Sequence, residues 1–200
     1  MTDARELPPL PPMERLVELM FDAARTGRDE MIPALLQAGV DIEVTDAKGY
    51  TPLVIASYNG QTEATAALLA AGAQVDGAAD ARGNTALMGV CFKGYTEIAQ
   101  ILLDAGADVN RRNGVGQTAL MMAALVNKTA IIDLLLEHGA DPTIADAAGN
   151  SVHSLAVSQG NTALAAVRND RLAIPKCSPA KAGAQSGHPP SRVNKLFLLG

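Results

Sequence analysis

At 200 residues the chain has room for one ordinary domain and no more than two, and 48% hydrophobic content is ample for a core. Its apolar residues are mainly Ala and Leu, with 3% aromatics and no Trp, which suits small, closely packed helices and not a large β-core. The net charge of −5 is uneven: five of the 16 basic residues follow the last acid, Asp170, so positions 1–170 hold 11 bases against 21 acids and make a poor binder of phosphate backbones.

Residues 1–12 read as a Pro-rich extended lead-in, with Pro8, Pro9, Pro11 and Pro12. A PxxP-type ligand is the alternative there, and composition alone favours the plain lead-in. Acids and prolines stand where a secretory signal would carry a basic region and an apolar stretch. No apolar run approaches the roughly 20 residues of a membrane helix. Cys91 and Cys177 have neither metal-ligand spacing nor a disulfide framework. Free thiols fit a reducing compartment, so a cytoplasmic location is expected.

From Met13 onward the chain repeats. Gly39, Gly72, Gly106 and Gly139 close similar segments, such as Leu68-Leu69…Ala71-Gly72 and Leu102-Leu103…Ala105-Gly106, at spacings of 33, 34 and 33. A second column, Gly49, Gly83, Gly116 and Gly149, is spaced 34, 33 and 33. Both columns place the one extra residue between Gly72 and Gly83, and that agreement establishes the period. After the second column, Thr51-Pro52-Leu53, Thr85-Ala86-Leu87, Thr118-Ala119-Leu120 and Ser151-Val152 predict helix starts. Thr or Ser there accepts a backbone N–H bond, and Pro is tolerated at the first helical position.

These first helices are predicted to stop at Asn59-Gly60, Lys93-Gly94, Val126-Asn127 and Gln159-Gly160, where Gly and Asn adopt the left-handed conformation. A further column, Asp29, Thr62, Thr96, Thr129 and Thr162, places short side-chain oxygens near the start of a second helix. Ile98, Ile101, Leu102 and Ile131, Leu134, Leu135 give that helix an i, i+3, i+4 stripe. Asp46, Asp80, Asn113 and Asp146 each stand three before a second-column glycine, as side chains that bond their own turn do. Each unit reads as helix, turn, helix, projecting hairpin.

Segments such as Gly49-Tyr50-Thr51-Pro52-Leu53…Ala56…Gly60…Leu68-Leu69…Gly72-Ala73 and Leu102-Leu103-Asp104-Ala105-Gly106-Ala107-Asp108-Val109-Asn110 resemble ankyrin repeats, over roughly residues 14–170. The resemblance implies an all-α solenoid of helix-turn-helix units with projecting β-hairpin loops. Five units are expected, at 13–47, 48–81, 82–114, 115–147 and 148–170, before a disordered basic tail at 171–200. The first unit has Glu18 at the Thr position, and the last has Arg168 and Asn169 in place of the Leu pair, as polar terminal caps require. The family's His, fourth in Thr-Pro-Leu-His, is here Val54, Met88, Met121 and Ser154. Apolar packing is therefore expected to replace its hydrogen bonds between units, in a somewhat more plastic array. The short, alanine-rich array resembles small bacterial members of the family.

No catalytic, metal or cofactor site is expected. His138, His153 and His188 are scattered, without Cys or carboxylate at zinc-ligand spacing. Cys91 falls in a small-residue slot aligned with Ser57 and Ala124, which points to packing over nucleophilic use. The terminal Val193–Leu199 stretch is apolar enough for a docking peptide, although an untethered end is the simpler reading.

The resemblance places recognition on the hairpin tips and the open face of the first helices. In this chain those positions are Lys48, Tyr50, Tyr58 and Asn59, then Arg82, Asn84, Phe92 and Lys93, then Val115, Gln117, Leu125 and Val126, with Asn150 and Gln159 in the last unit. Tyr58, Phe92 and Leu125 form one apolar column, which marks an interaction site unless it packs under neighbouring hairpins. Lys48, Arg82, Lys93, Arg111 and Arg112 lie toward the hairpins, while Glu63, Glu97, Asp104, Asp133 and Glu137 lie on second helices. The expected partner is another protein with an acidic, partly apolar surface, neither nucleic acid nor membrane, met by a monomeric adaptor or inhibitor. The alternative is a bacterial stress-accessory or immunity protein that sequesters one enzyme or toxin.

Overall fold

The computed structural model describes residues 10–77, 82–158 and 160. Its helices are α1 (Met13–Thr26), α2 (Ile32–Gln37), α3 (Pro52–Tyr58), α4 (Thr62–Ala70), α5 (Ala86–Lys93), α6 (Thr96–Asp104), α7 (Ala119–Leu125), α8 (Thr129–Glu137) and α9 (Val152–Ser158), with a 3₁₀ turn at Asp29–Met31. The odd-numbered helices pack in sequence as an inner row, and α2, α4, α6 and α8 as an outer row. This is the all-α repeat solenoid that the resemblance implies. Arg168, Asn169, Gln159, the tail at 171–200 and the start of the lead-in lie outside the described residues.

Local chemistry sets the helix ends. Thr51, Thr85 and Thr118 are buried, and each Oγ1 accepts the N–H three residues on, from Val54, Met88 and Met121 at 3.4, 3.3 and 3.4 Å. In the last unit Ser151 and Ser154 exchange the reciprocal pair: Ser151 N–H donates to Ser154 Oγ at 2.8 Å and Ser154 N–H to Ser151 Oγ at 3.4 Å. Left-handed residues end the first helices, Gly94 at φ 93° and Asn127 at φ 53° among them.

Thr62, Thr96 and Thr129 stand at the start of the second helices as expected, each at the first helical position behind Gln61, Tyr95 and Lys128, whose side chains make no cap bond; Thr162 lies outside the described residues. In the first unit α1 starts at Met13, five residues before Glu18 at the Thr position, and Glu18 lies inside it, bonded to Arg15 at 2.7 Å. One expectation, the β-hairpin form of the loops, needs correction. The projecting loops form no strand among the described residues beyond the isolated Ala145–Ser151 bridge. Hereafter they are fingers, at 40–50, 73–84, 107–117 and 140–150.

Between the rows lies a continuous core. Leu68, Leu102 and Leu135 occupy one repeat position and are fully buried, with Ile98 and Ile131 beside them; truncating such a side chain to Ala costs about 2–5 kcal/mol. Within the inner row, Ala56-Ser57, Val90-Cys91 and Ala123-Ala124 are all without solvent contact, and small side chains let adjacent helices approach closely. Cys91 fills the slot its alignment with Ser57 and Ala124 predicts, and burial pushes its thiol up to about 12. Met88 and Met121 are buried and Val54 half-buried, so apolar side chains do fill the family's His slot. Polar contacts between units pass mainly through the fingers instead, with Gln61 Nε2 donating to Arg25 O at 3.0 Å outside them.

Candidate functional site

Three of the fingers are each built on one acidic or amide side chain, while Asp80, expected to play the same part in the 73–84 finger, lies outside the described residues. Asp46 Oδ1 accepts the N–H groups of Lys48 and Tyr50 at 2.8 and 3.0 Å. Asn113 Oδ1 does the same for Val115 and Gln117, and Asp146 Oδ1 for Ala148 and Asn150. Backbone bonds from Gly49 to Asp46, Gly116 to Asn113 and Gly149 to Asp146 close the same turn. The bonds from Asn150, backbone first and side chain second, hold the Asp146 carboxyl below its ordinary value. Asn113 serves equally without charge, so geometry and not charge shapes the tip.

The fingers are tied to one another. At the tips Gly114 N–H donates to Arg82 O at 2.8 Å and Ala147 N–H to Val115 O at 2.9 Å. Asn113 Nδ2 donates to Asn84 Oδ1 at 2.8 Å. Arg112 reaches across to Ala145 O at 2.9 Å while bonding Gly116 O at 3.2 Å, so this base braces the scaffold. At the roots a second set of ties escaped the sequence reading. Glu43 Oε1 accepts from Gln74 N–H at 2.8 Å, Asp76 Oδ2 from Asp108 N–H at 2.7 Å, and Asn110 Oδ1 from Asp141 N–H at 2.8 Å. The signal was a repeat position of Glu43, Asp76 and Asn110 always two residues after Asp41, Gln74 and Asp108.

Where the fingers meet the inner helices, the surface hollows into a groove of about 500 Å³. Of the residues expected to bind, Lys48, Tyr50, Tyr58, Asn59, Arg82, Asn84 and Phe92 line it together. Lys93 adjoins it, its Nζ 4.5 Å from the centre of the Tyr58 ring. Gln117, Leu125 and Val126 lie outside this groove. Tyr58 and Phe92 are each 43% exposed and Leu125 38%, so the apolar column is open and not covered by hairpins. Tyr50 is half-buried against the core, and Asn59 turns back to bond Ile55 O at 2.7 Å. Gln117 Oε1 and Asn84 Oδ1 both accept from Asn113 Nδ2. Sequence reasoning missed Arg25, Val54, Ile55, Met88, Gly89 and Met122, which complete the lining.

The charge pattern is two-sided. No Lys or Arg lies in α2, α4, α6 or α8, while Glu63, Glu97, Asp104, Asp133 and Glu137 do. The groove carries Arg25, Lys48 and Arg82 against Asp46. His138 at the end of α8 has Nδ1 2.9 Å from Leu134 O and Nε2 3.4 Å from Gln100 Nε2. Among the described residues no three His, Cys, Asp or Glu side chains cluster as a metal site, and no helix is long and apolar enough to cross a membrane.

Two family models match the chain, both of ankyrin repeats, one over residues 19–113 and the other over 102–156. No curated protein matches it.

Proposed function

Because the chain belongs to the ankyrin-repeat family across residues 19–156, we propose that it is a protein-binding scaffold, an adaptor or inhibitor, and not an enzyme. Ankyrin repeats generally mediate protein–protein interaction. In this reading the partner docks on the concave surface formed by the fingers and the first helices. One observation carries it: Tyr58 and Phe92, at equivalent repeat positions, stay open to solvent in a groove rimmed by Lys48 and Arg82. Aromatic side chains in such places are favoured binding anchors, and the basic rim matches a partner whose contact surface is acidic and partly apolar. The ties between fingers support the same reading, since a surface fixed before binding loses less entropy on association. Free, buried Cys91 accords with a role in the reducing cytoplasm.

The test is retention of a purified partner by the immobilised full chain and by its Phe92→Ala variant. Losing the anchor is expected to weaken binding by about 2 kcal/mol, with the helical circular dichroism unchanged. Unchanged affinity of the folded variant removes Phe92 from the interface. Equal retention by a Tyr58→Ala/Phe92→Ala double variant places the partner on another face.

A further inference from the structure

Gly89 is out of place in α5. It sits inside a helix, where glycine is about 0.8–1.0 kcal/mol less favourable than alanine, and its φ is not in the left-handed region. Its repeat equivalents are Ile55 and Met122, both bulky and both lining the groove. The structure supplies the reason. A Cβ on Gly89 would stand 3.0 Å from Tyr58 Cδ2, so the missing side chain lets the Tyr58 ring reach across from α3 and rest on α5. Lys93, one turn on, covers the ring with its Nζ. The ring is thus held by two contacts from the neighbouring unit while 43% of the residue stays exposed. It forms a fixed aromatic wall, with Phe92 and Met88 as further apolar lining.

Charge frames this apolar centre. The ionisable groups lining the groove are Arg25, Lys48, Arg82, Asp46 and the Tyr50 and Tyr58 hydroxyls. Asp46 spends Oδ1 on its own finger, and Arg25 bonds Asp22 at 2.9 Å. Lys48 is exposed at the finger end. By formal charge the lining carries three bases against one acid, on a protein whose second helices hold no Lys or Arg. The volume of about 500 Å³ falls within the range of roughly 300–1,000 Å³ that takes a compact ligand group.

We propose that the groove beside the Tyr58 ring, which Gly89 seats on α5, is a specificity pocket for one bulky apolar side chain of an extended partner segment with carboxylates on both sides of it. The apolar side chain lies against Tyr58 and Phe92, and the carboxylates meet Lys48 and Arg82. This rests on the concave-surface reading above and adds the chemistry and register of the occupant.

The experiment uses the full chain, ¹⁵N-labelled, and three short peptides with a central Phe flanked by Asp and Glu, by Ser and Gln, or by Lys. The acidic peptide is expected to bind saturably, with amide shifts centred on Tyr58, Gly89 and Phe92. Replacing its Phe by Ala should abolish the shifts. Lys48→Glu should weaken binding at least about fivefold, in a manner suppressed by salt. Gly89→Ala favours the helix, so the fold persists, yet it displaces the Tyr58 ring and should weaken binding about tenfold. No saturable binding of the acidic peptide overturns the proposal, as does equal binding of the neutral or basic peptide or indifference to Gly89→Ala. If another peptide is preferred while its shifts map to Tyr58 and Phe92, the acidic register fails and the concave surface stands. Shifts that map to the second helices sink both readings.

Discussion

The roots and the tips of the fingers solve the same problem in different ways. Both must join one unit to the next about 33 residues along the chain, and both carry glycines at positive φ. At the roots, Gly72, Gly106 and Gly139 have no atom within 4 Å of where a Cβ would be. Side-chain arms from Glu43, Asp76 and Asn110 span the gap there. At the tips, a Cβ on Gly83 would meet Gly114 N at 3.0 Å, and one on Gly116 would meet Ala147 N at 3.1 Å. There the neighbouring backbones touch and bond directly. Glycine at a root answers to its dihedral angle alone. Glycine at the Gly83 and Gly116 tips answers to its dihedral angle and to a neighbour that cannot move aside, whereas Gly49 and Gly149 have no atom within 4 Å.

The comparison breaks most readily at Gly116. Gly116→Ala combines left-handed strain with a backbone collision and should cost about 3 kcal/mol in urea unfolding. Gly106→Ala carries the strain alone, about 1–2 kcal/mol. If the two substitutions cost the same, the crowding at the tips has no energetic meaning. Smaller again is Asn110→Ala, which removes the root arm and its bonds to Asp141 N and Gly139 O. About 1 kcal/mol is expected, with hydrogen exchange accelerated at Asp141 and unchanged at Ala147. Faster exchange at both would show roots and tips to be one unit.

The smallest effect is expected at Asp146. Its carboxyl is held below the ordinary value in the folded chain, so its contribution is complete above that value and is lost as pH falls through the lowered one. Asp146→Asn reproduces the Asn113 arrangement of the preceding finger, and the urea midpoint at neutral pH should not move. Only the acid limb of the stability profile should flatten. A large loss at neutral pH would show that charge, and not turn geometry, holds this tip.

The groove divides along the same line. The open Tyr58–Phe92 column was legible because both follow from counting along a helix whose start is fixed by Thr51 or Thr85. Gly89 also left a trace, an unexplained glycine within an otherwise favourable helix, but its purpose is visible only with the Tyr58 ring beside it. Arg112 shows the opposite case: by position it belonged with the hairpin-side bases, and in the structure it braces the next finger at Ala145.

By itself the sequence determined the period, the alternation of helix and turn, the threonine caps and the left-handed residues that end the first helices. Those features depend on hydrogen bonds and steric limits spanning four residues or fewer, so the local order of residues contains them. Tertiary structure alone decided which side chains from α1, α3, α5 and α7 share one groove, which polar groups are spent on ties between units, and where α1 begins. Each of those depends on how one unit is set against the next, a displacement that no stretch of neighbouring residues encodes.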